Sequence, residues 1–159
     1  MIAEANPDRV REATAEDQGD LLDLCRRSHE ETGIGPFSAI KTLAAIDGAI
    51  RHGVGVVGVV GMDRVEGSAG LFFEEPWGSE TTILISRWLY VLPEYRASTH
   101  LRDLAAWAER LSHPHPVGVG VPVLVSEVAS RRTEAKQRLY RRHMGEPVAV
   151  TWLRETWGD

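Results

Sequence analysis

The chain has 159 residues, 43% hydrophobic and 26% charged, which is the size and balance of one globular domain spanning residues 1–159 and excludes two ordinary domains or a disordered chain. A formal net charge of −5 gives no electrostatic pull toward nucleic acid or an anionic membrane, and leans toward a cationic or amine-bearing partner. Cys25 is the only cysteine and cannot form an intrachain disulfide; Met1–Asp8 lacks a signal peptide's basic-then-apolar order, and the apolar run Val54–Met62 is about half a membrane span. A cytoplasmic location is the expectation.

Arg9 to Ala13 alternates and reads as a short strand, and Thr14-Ala-Glu-Asp17 resembles a capping box. It opens a helix with the stripe Leu21, Leu22, Leu24, Cys25 and His29. Gly33-Ile-Gly-Pro36 breaks that helix, and Phe37 to His52 carries a second stripe through Ile40, Leu43, Ala44, Ile46 and Ile50. Val54–Met62 and Gly67–Phe73 read as a hairpin turning through Asp63-Arg-Val-Glu66, and Pro76–Ser79 as a turn. Thr81 to Val91 is a long central strand that puts Ile83, Ile85, Leu89 and Val91 on one face if no bulge intervenes. A helix from about His100 to Ser112 presents Leu101, Leu104, Ala105, Ala108 and Leu111. After the Pro- and Gly-rich connector His113–Gly120 come a strand at Val123–Val128, a helix at Thr133–His143 and a last strand at Val148–Arg154. The order β-α-α-β-β-β-α-β-α-β predicts an α/β sandwich around a mixed sheet.

Chemistry concentrates where the central strand meets the next helix. Val91, the turn at Pro93, then Arg96, Ala97, Ser98, Thr99, His100 and Leu101 lead into the helix, whose free N–H groups and positive dipole end suit an anion, with Arg96 reinforcing them. The segment is a candidate pyrophosphate seat, although Arg96 also reads as a solvated side chain, Ser98 or Thr99 as a routine cap, and His100 as incidental.

This segment resembles the GNAT superfamily of acyl-CoA-dependent N-acetyltransferases. The family pattern is a strand ending in Val-x-Pro, an Arg/Gln-x-x-Gly-x-Gly/Ala loop and a helix whose N-terminus holds the cofactor's diphosphate; Val91, Pro93 and Arg96 match, while Thr99 and Leu101 stand at the glycine positions, as in the glycine-poor loops of some phage members. A second segment is similar to the family's late helix, with Leu139, Tyr140 and Gly145 in place. Two motifs in order are far more specific than either alone.

The resemblance implies a three-layer GNAT-like α/β sandwich and transfer of an acetyl group from acetyl-CoA directly to a primary amine of a small-molecule or peptide acceptor. It assigns the pantetheine arm and acyl carbonyl to main-chain groups of Leu89, Tyr90 and Val91 at a strand bulge, and the acceptor to the cover formed by the loop and helix before His52. Tyr140 is implied to be the acid that protonates the departing thiolate, with Lys136 one turn earlier favouring the phenolate or meeting the cofactor's phosphates. Packing beside Leu139 is the other reading of Tyr140.

No general base stands out. Ile85-Ser-Arg-Trp88 lies where many members carry Glu, and Glu74, Glu75 and Glu127 read as surface carboxylates. His113 and His115 give no metal-ligand pattern, and Ser126, Glu127 and His143 give no hydrolase pattern, so no metal is expected. Trp77 is a candidate lining of an acceptor pocket. Residues 144–159 hold room for one strand where many family members have two, leaving the second absent, rudimentary or supplied by a partner; the apolar Val148–Trp157 suggests a homodimer. A scaffold that binds acyl-CoA, or only interacts, without turnover fits the same residues.

Overall fold

The computed structural model describes residues 4–32, 35–113, 122–125, 133–144 and 146. Asn6 accepts a bond from the N–H of Asp8, and Pro7 presets a 3-10 turn at Pro7–Arg9. That turn consumes Arg9, so the first strand, β1, is only Arg11–Glu12 rather than Arg9 to Ala13. Asp17 then accepts from the N–H of Thr14 at 2.8 Å and from two nitrogens of Arg11 at 2.7 Å each, fixing the entry to α1, Gln18–Thr32. Leu21, Leu24 and Cys25 are its buried stripe.

Helix α2, Ala39–His52, is capped by Ser38 and ends on Gly53 at φ 64°, a left-handed conformation glycine adopts without strain. Only part of its expected stripe faces inward. Ile46 and Ala49 are buried, whereas Ile40 is 83% exposed and Leu43 and Ala44 are also exposed. The helix carries apolar residues around more of its circumference than one packing face can cover.

Strands β2, Gly55–Val60, β3, Gly67–Glu74, and β4, Ile83–Val91, form an antiparallel meander next to β1. Helix α3, His100–Leu111, carries the chain to β5, Val123–Leu124, which runs parallel to β4, and α4, Thr133–Met144, follows. The described sheet has the order β1-β2-β3-β4-β5 and is mixed. On one face Leu21, Leu24, Ile46 and Ala49 pack against Val57, Val59, Phe72 and Tyr90. On the other, Leu104, Ala108 and Leu111 of α3 and Tyr140 of α4 pack against Ala69, Leu71, Leu84, Leu89 and Val91. Helices on both sides of a mixed sheet give the expected three-layer α/β sandwich.

A bulge in β4 changes which residues share a face. Gly70 opposes Trp88 but Leu71 opposes Ser86, leaving Arg87 as the extra residue. Ile85 therefore pairs with Phe72 on the α1/α2 side, and Leu89 and Val91 point to the α3/α4 side. The expectation that Ile83, Ile85, Leu89 and Val91 line one face is corrected by this single insertion. No helix among the described residues is long and apolar enough to cross a membrane. The expected strand Val148–Arg154, with the proposed dimer edge, and residues 126–128 of the preceding one lie outside the described residues.

Candidate active site

The bulge turns Arg87 and Trp88 toward α1 and α2. Arg87 is exposed, with its guanidinium carbon 4.2 Å from the ring centre of Phe72 and one nitrogen 3.5 Å from Glu74. The Trp88 indole lies across Gly70, where an added Cβ would come within 2.4 Å of the ring. Its Nε1–H donates to Ser68 Oγ at 3.1 Å, and the buried Ser68 hydroxyl donates to the Gly58 carbonyl at 2.9 Å. Glycine at position 70 is thus what lets the indole rest on the sheet. Above it, α1 and α2 leave a pocket of about 450 Å³ lined by Cys25, His29, Phe37, Lys41, Arg87 and Trp88 among others. Burial pushes the Cys25 thiol up to about 12, so it stays a protonated thiol at neutral pH.

Among the described residues β5 pairs with β4 only through Leu84 and Ile85, before the bulge. Leu89, Tyr90 and Val91 pair in regular register with Ala69, Ser68 and Gly67, so the bulge expected at these residues lies at Arg87 instead; their side chains are buried, and only their main chain can face a ligand. Part of it is engaged, because the Val91 carbonyl accepts from Arg96 Nε at 3.1 Å.

The loop after β4 is a 3-10 turn at Pro93–Tyr95 followed by Ser98, whose hydroxyl donates to the Tyr95 carbonyl at 2.6 Å and accepts from the His100 N–H at 3.2 Å. No acceptor among the described residues meets the N–H groups of Ala97, Thr99 and Leu101. The Thr99 hydroxyl donates to Asp103 at 2.7 Å and accepts from Arg9 at 3.0 Å. Asp103 is fully buried and also takes the Asn6 N–H at 2.6 Å, so a carboxylate already answers part of the positive end of α3. His100 points to Glu66, 2.6 Å from Nε2, and its buried Nδ1 has no partner among the described residues. Leu101 packs half-buried against the core.

Arg96 reaches back across the sheet end to α1. One terminal nitrogen lies 2.7 Å from each oxygen of Glu31, and the guanidinium sits 5.1 Å from the ring centre of Tyr90. Tyr90 donates to the same carboxylate at 2.6 Å. Burial alone would raise the Glu31 carboxyl, but the bonds from Tyr90 and Arg96 and the charges of Arg96 and Lys136 outweigh it and hold it below the usual range. Burial, then the bond to Glu31, pushes the Tyr90 phenol well above its ordinary value. Glu31 is accordingly a carboxylate and Tyr90 a neutral donor.

No family model matches the chain, and no curated protein is similar to it. Solved structures are. A possible acetyltransferase from Clostridium difficile 630 is 16% identical with a TM-score of 0.68, covering 94% of this chain and 97% of its own. An acetyltransferase from Trypanosoma brucei is 20% identical with a TM-score of 0.64, covering 92% and 97%. A predicted acetyltransferase from Clostridium acetobutylicum, solved with acetyl-CoA, is 16% identical with a TM-score of 0.63, covering 92% and 94%. The chain has the GNAT acetyltransferase fold.

Within that GNAT fold, the residues singled out in the sequence separate into groups. Tyr90 and Arg96, drawn from β4 and the loop, meet at Glu31, which sequence reasoning did not select, and the charge of Lys136 on α4 acts on the same carboxylate. Tyr140 lies one turn after Lys136, 9% exposed, among Leu84, Leu89 and Leu104. Ala97, Thr99 and Leu101 share the start of α3, while the His100 ring is turned aside to Glu66. Trp77 is fully exposed and does not line the pocket, and Glu74 is paired with Arg87. His143 bonds Glu109 at 2.7 Å and ties α4 to α3. Glu127 and His115 lie outside the described residues. Glu31 left no signal, being one of two adjacent glutamates in a charged helix end. Arg87 did leave one: a lone charge inside the apolar run Ile83–Val91.

Proposed function

We propose that the protein is an acyl-CoA-dependent N-acetyltransferase that moves an acetyl group from acetyl-CoA directly to a primary amine. The observation that carries the reading is the uninterrupted sequence of a bulged central strand, a tight turn and a helix start whose Ala97, Thr99 and Leu101 N–H groups lack acceptors among the described residues. Such a start suits a diphosphate.

The missing loop glycines do not defeat the fit. No non-glycine residue among those described has positive φ, so the loop uses no conformation that demands glycine. The side chains replacing glycine are turned inward, Thr99 onto Asp103 and Leu101 onto the core, which leaves the main chain approachable. Arg96 shapes this seat from the side by bonding Val91 and Glu31, and the seat itself is main chain.

When bound, acetyl-CoA supplies the thioester acyl group. The main chain of Leu89, Tyr90 and Val91 orients the arm, Lys136 adds positive charge nearby, and the Tyr140 hydroxyl holds the proton destined for the departing thiolate. Glu31 is held ionised with its oxygens engaged by Tyr90 and Arg96, which makes it a weak proton acceptor.

Calorimetry with acetyl-CoA, followed by a free-thiol assay over a panel of amines, tests the proposal. Binding with thiol release supports it. Binding without release for any amine leaves a GNAT scaffold that only holds acyl-CoA, and absence of binding overturns the proposal.

A further inference from the structure

The pocket between α1, α2 and the β4 bulge has a charge opposite to that of the whole chain. Its lining contains Lys41, Arg87 and His29 and no aspartate or glutamate. Lys41 has no ion-pair partner among the described residues, and the one carboxylate that Arg87 meets among them is the partly exposed Glu74, at 3.5 Å. The two cations therefore outnumber the one carboxylate beside them. A polyamine entering here would be repelled, whereas a carboxylate would gain charge-assisted hydrogen bonds.

The hydroxyls in the same wall complement a different group. Thr32 Oγ1 donates to the Ser28 carbonyl and Thr42 Oγ1 to the Ser38 carbonyl, each at 2.9 Å. Their protons are committed, so their lone pairs are what they offer to a ligand, and lone pairs suit an amine N–H. Phe37 and Trp88 supply apolar wall between these polar groups. A volume of about 450 Å³ suits a small molecule.

Resting on the transferase reading above, we infer that the acceptor is a small amine that also bears a carboxylate, of the amino-acid class, with Lys41 and Arg87 holding the carboxylate. Acceptor choice is then set by the local sign of the pocket and not by the chain's net charge of −5.

Ligand-observed NMR on the full chain, with the free amino acids, their amides and spermidine as probes, tests the inference beside calorimetry with acetyl-CoA. At least one free amino acid should bind about 10- to 100-fold more tightly than its amide, the scale of losing a charged hydrogen bond. Lys41→Glu should erase that preference without changing acetyl-CoA affinity or the melting temperature, since Lys41 is exposed. Amides or spermidine binding as tightly as the amino acids, no probe binding, or an unchanged preference in Lys41→Glu would each overturn it. Amino acids that bind in the absence of any acetyl-CoA binding would keep the pocket assignment and sink the transferase reading. Acetyl-CoA turnover with spermidine in preference to amino acids would do the reverse.

Discussion

Glu31 at the end of α1 and Arg96 in the loop before α3, 65 positions apart, form an ion pair in which one guanidinium nitrogen lies 2.7 Å from both carboxylate oxygens. The pair fastens the outer end of a helix to the turn that sets up the start of α3. Both side chains are partly exposed, 26% for Arg96 and 40% for Glu31, so solvent screens much of the attraction. Arg96→Ala should cost about 1 kcal/mol, and a chain of this length should lose roughly 2 to 4 °C of melting temperature. The expectation is checked by thermal denaturation against Arg102→Ala, whose side chain is in no ion pair among the described residues. Equal melting temperatures for the two variants would mean that the pair holds nothing together.

The same cluster predicts two separate limbs of pH dependence. The Glu31 carboxyl is lowered in the folded protein, so its contribution is present above the unfolded value of about 4.3 and is lost as pH falls through the folded one. Tyr90 is shifted the other way, raised first by burial and then by Glu31, so its contribution is full below the unfolded value of about 10 and is lost as pH rises above it. Glu31→Gln should flatten the acid limb of stability, and Tyr90→Phe the alkaline limb. Urea midpoints measured across both ranges decide it; a Phe variant with the parent's alkaline decline would show that the phenol is not responsible.

Gly70 and Trp88 give a packing prediction. A Cβ at position 70 would lie 2.4 Å from the indole, which cannot simply swing away because Ser68 holds its N–H. Gly70→Ala should therefore displace the ring and cost about 1 to 3 kcal/mol. Chemical denaturation measures the loss, and a change below about 0.5 kcal/mol would show that the sheet absorbs the methyl group without moving the indole.

These residues also show what the sequence could and could not reveal. Element types and their order follow from apolar spacing, since Leu21, Leu24, Leu104, Ala108 and Leu111 recur at helical intervals and are buried where that spacing puts them. The start of α3 was legible for the same reason, as was its proximity to the end of β4. Three features were not. The face of β4 depends on an insertion at Arg87, which periodicity reads as noise until the partner strand is known. The buried side of α2 depends on where α1 and the sheet lie, because Ile40 and Leu43 are as apolar as Ile46. Glu31 became part of the site only because folding brings the end of α1 to Tyr90 and Arg96, and no local pattern encodes a contact across 65 positions.

Tyr140 is where the proposed chemistry stands or falls. Its ring is 9% exposed and fills space among Leu84, Leu89 and Leu104, so Tyr140→Phe retains the packing and removes one hydroxyl. Loss of a single hydrogen bond should cost no more than about 1.5 kcal/mol of stability, and acetyl-CoA affinity should stay close to the parent's. If the phenol protonates the departing thiolate, the turnover number should fall by about 100- to 10,000-fold, the usual contribution of a positioned acid, with KM little altered. The loss belongs to kcat because the proton moves as charge develops on sulfur, after both substrates are in place. Turnover that is unaltered in Tyr140→Phe at saturating substrates, with chemistry rate-limiting, would reduce Tyr140 to a packing residue of the α3/α4 layer.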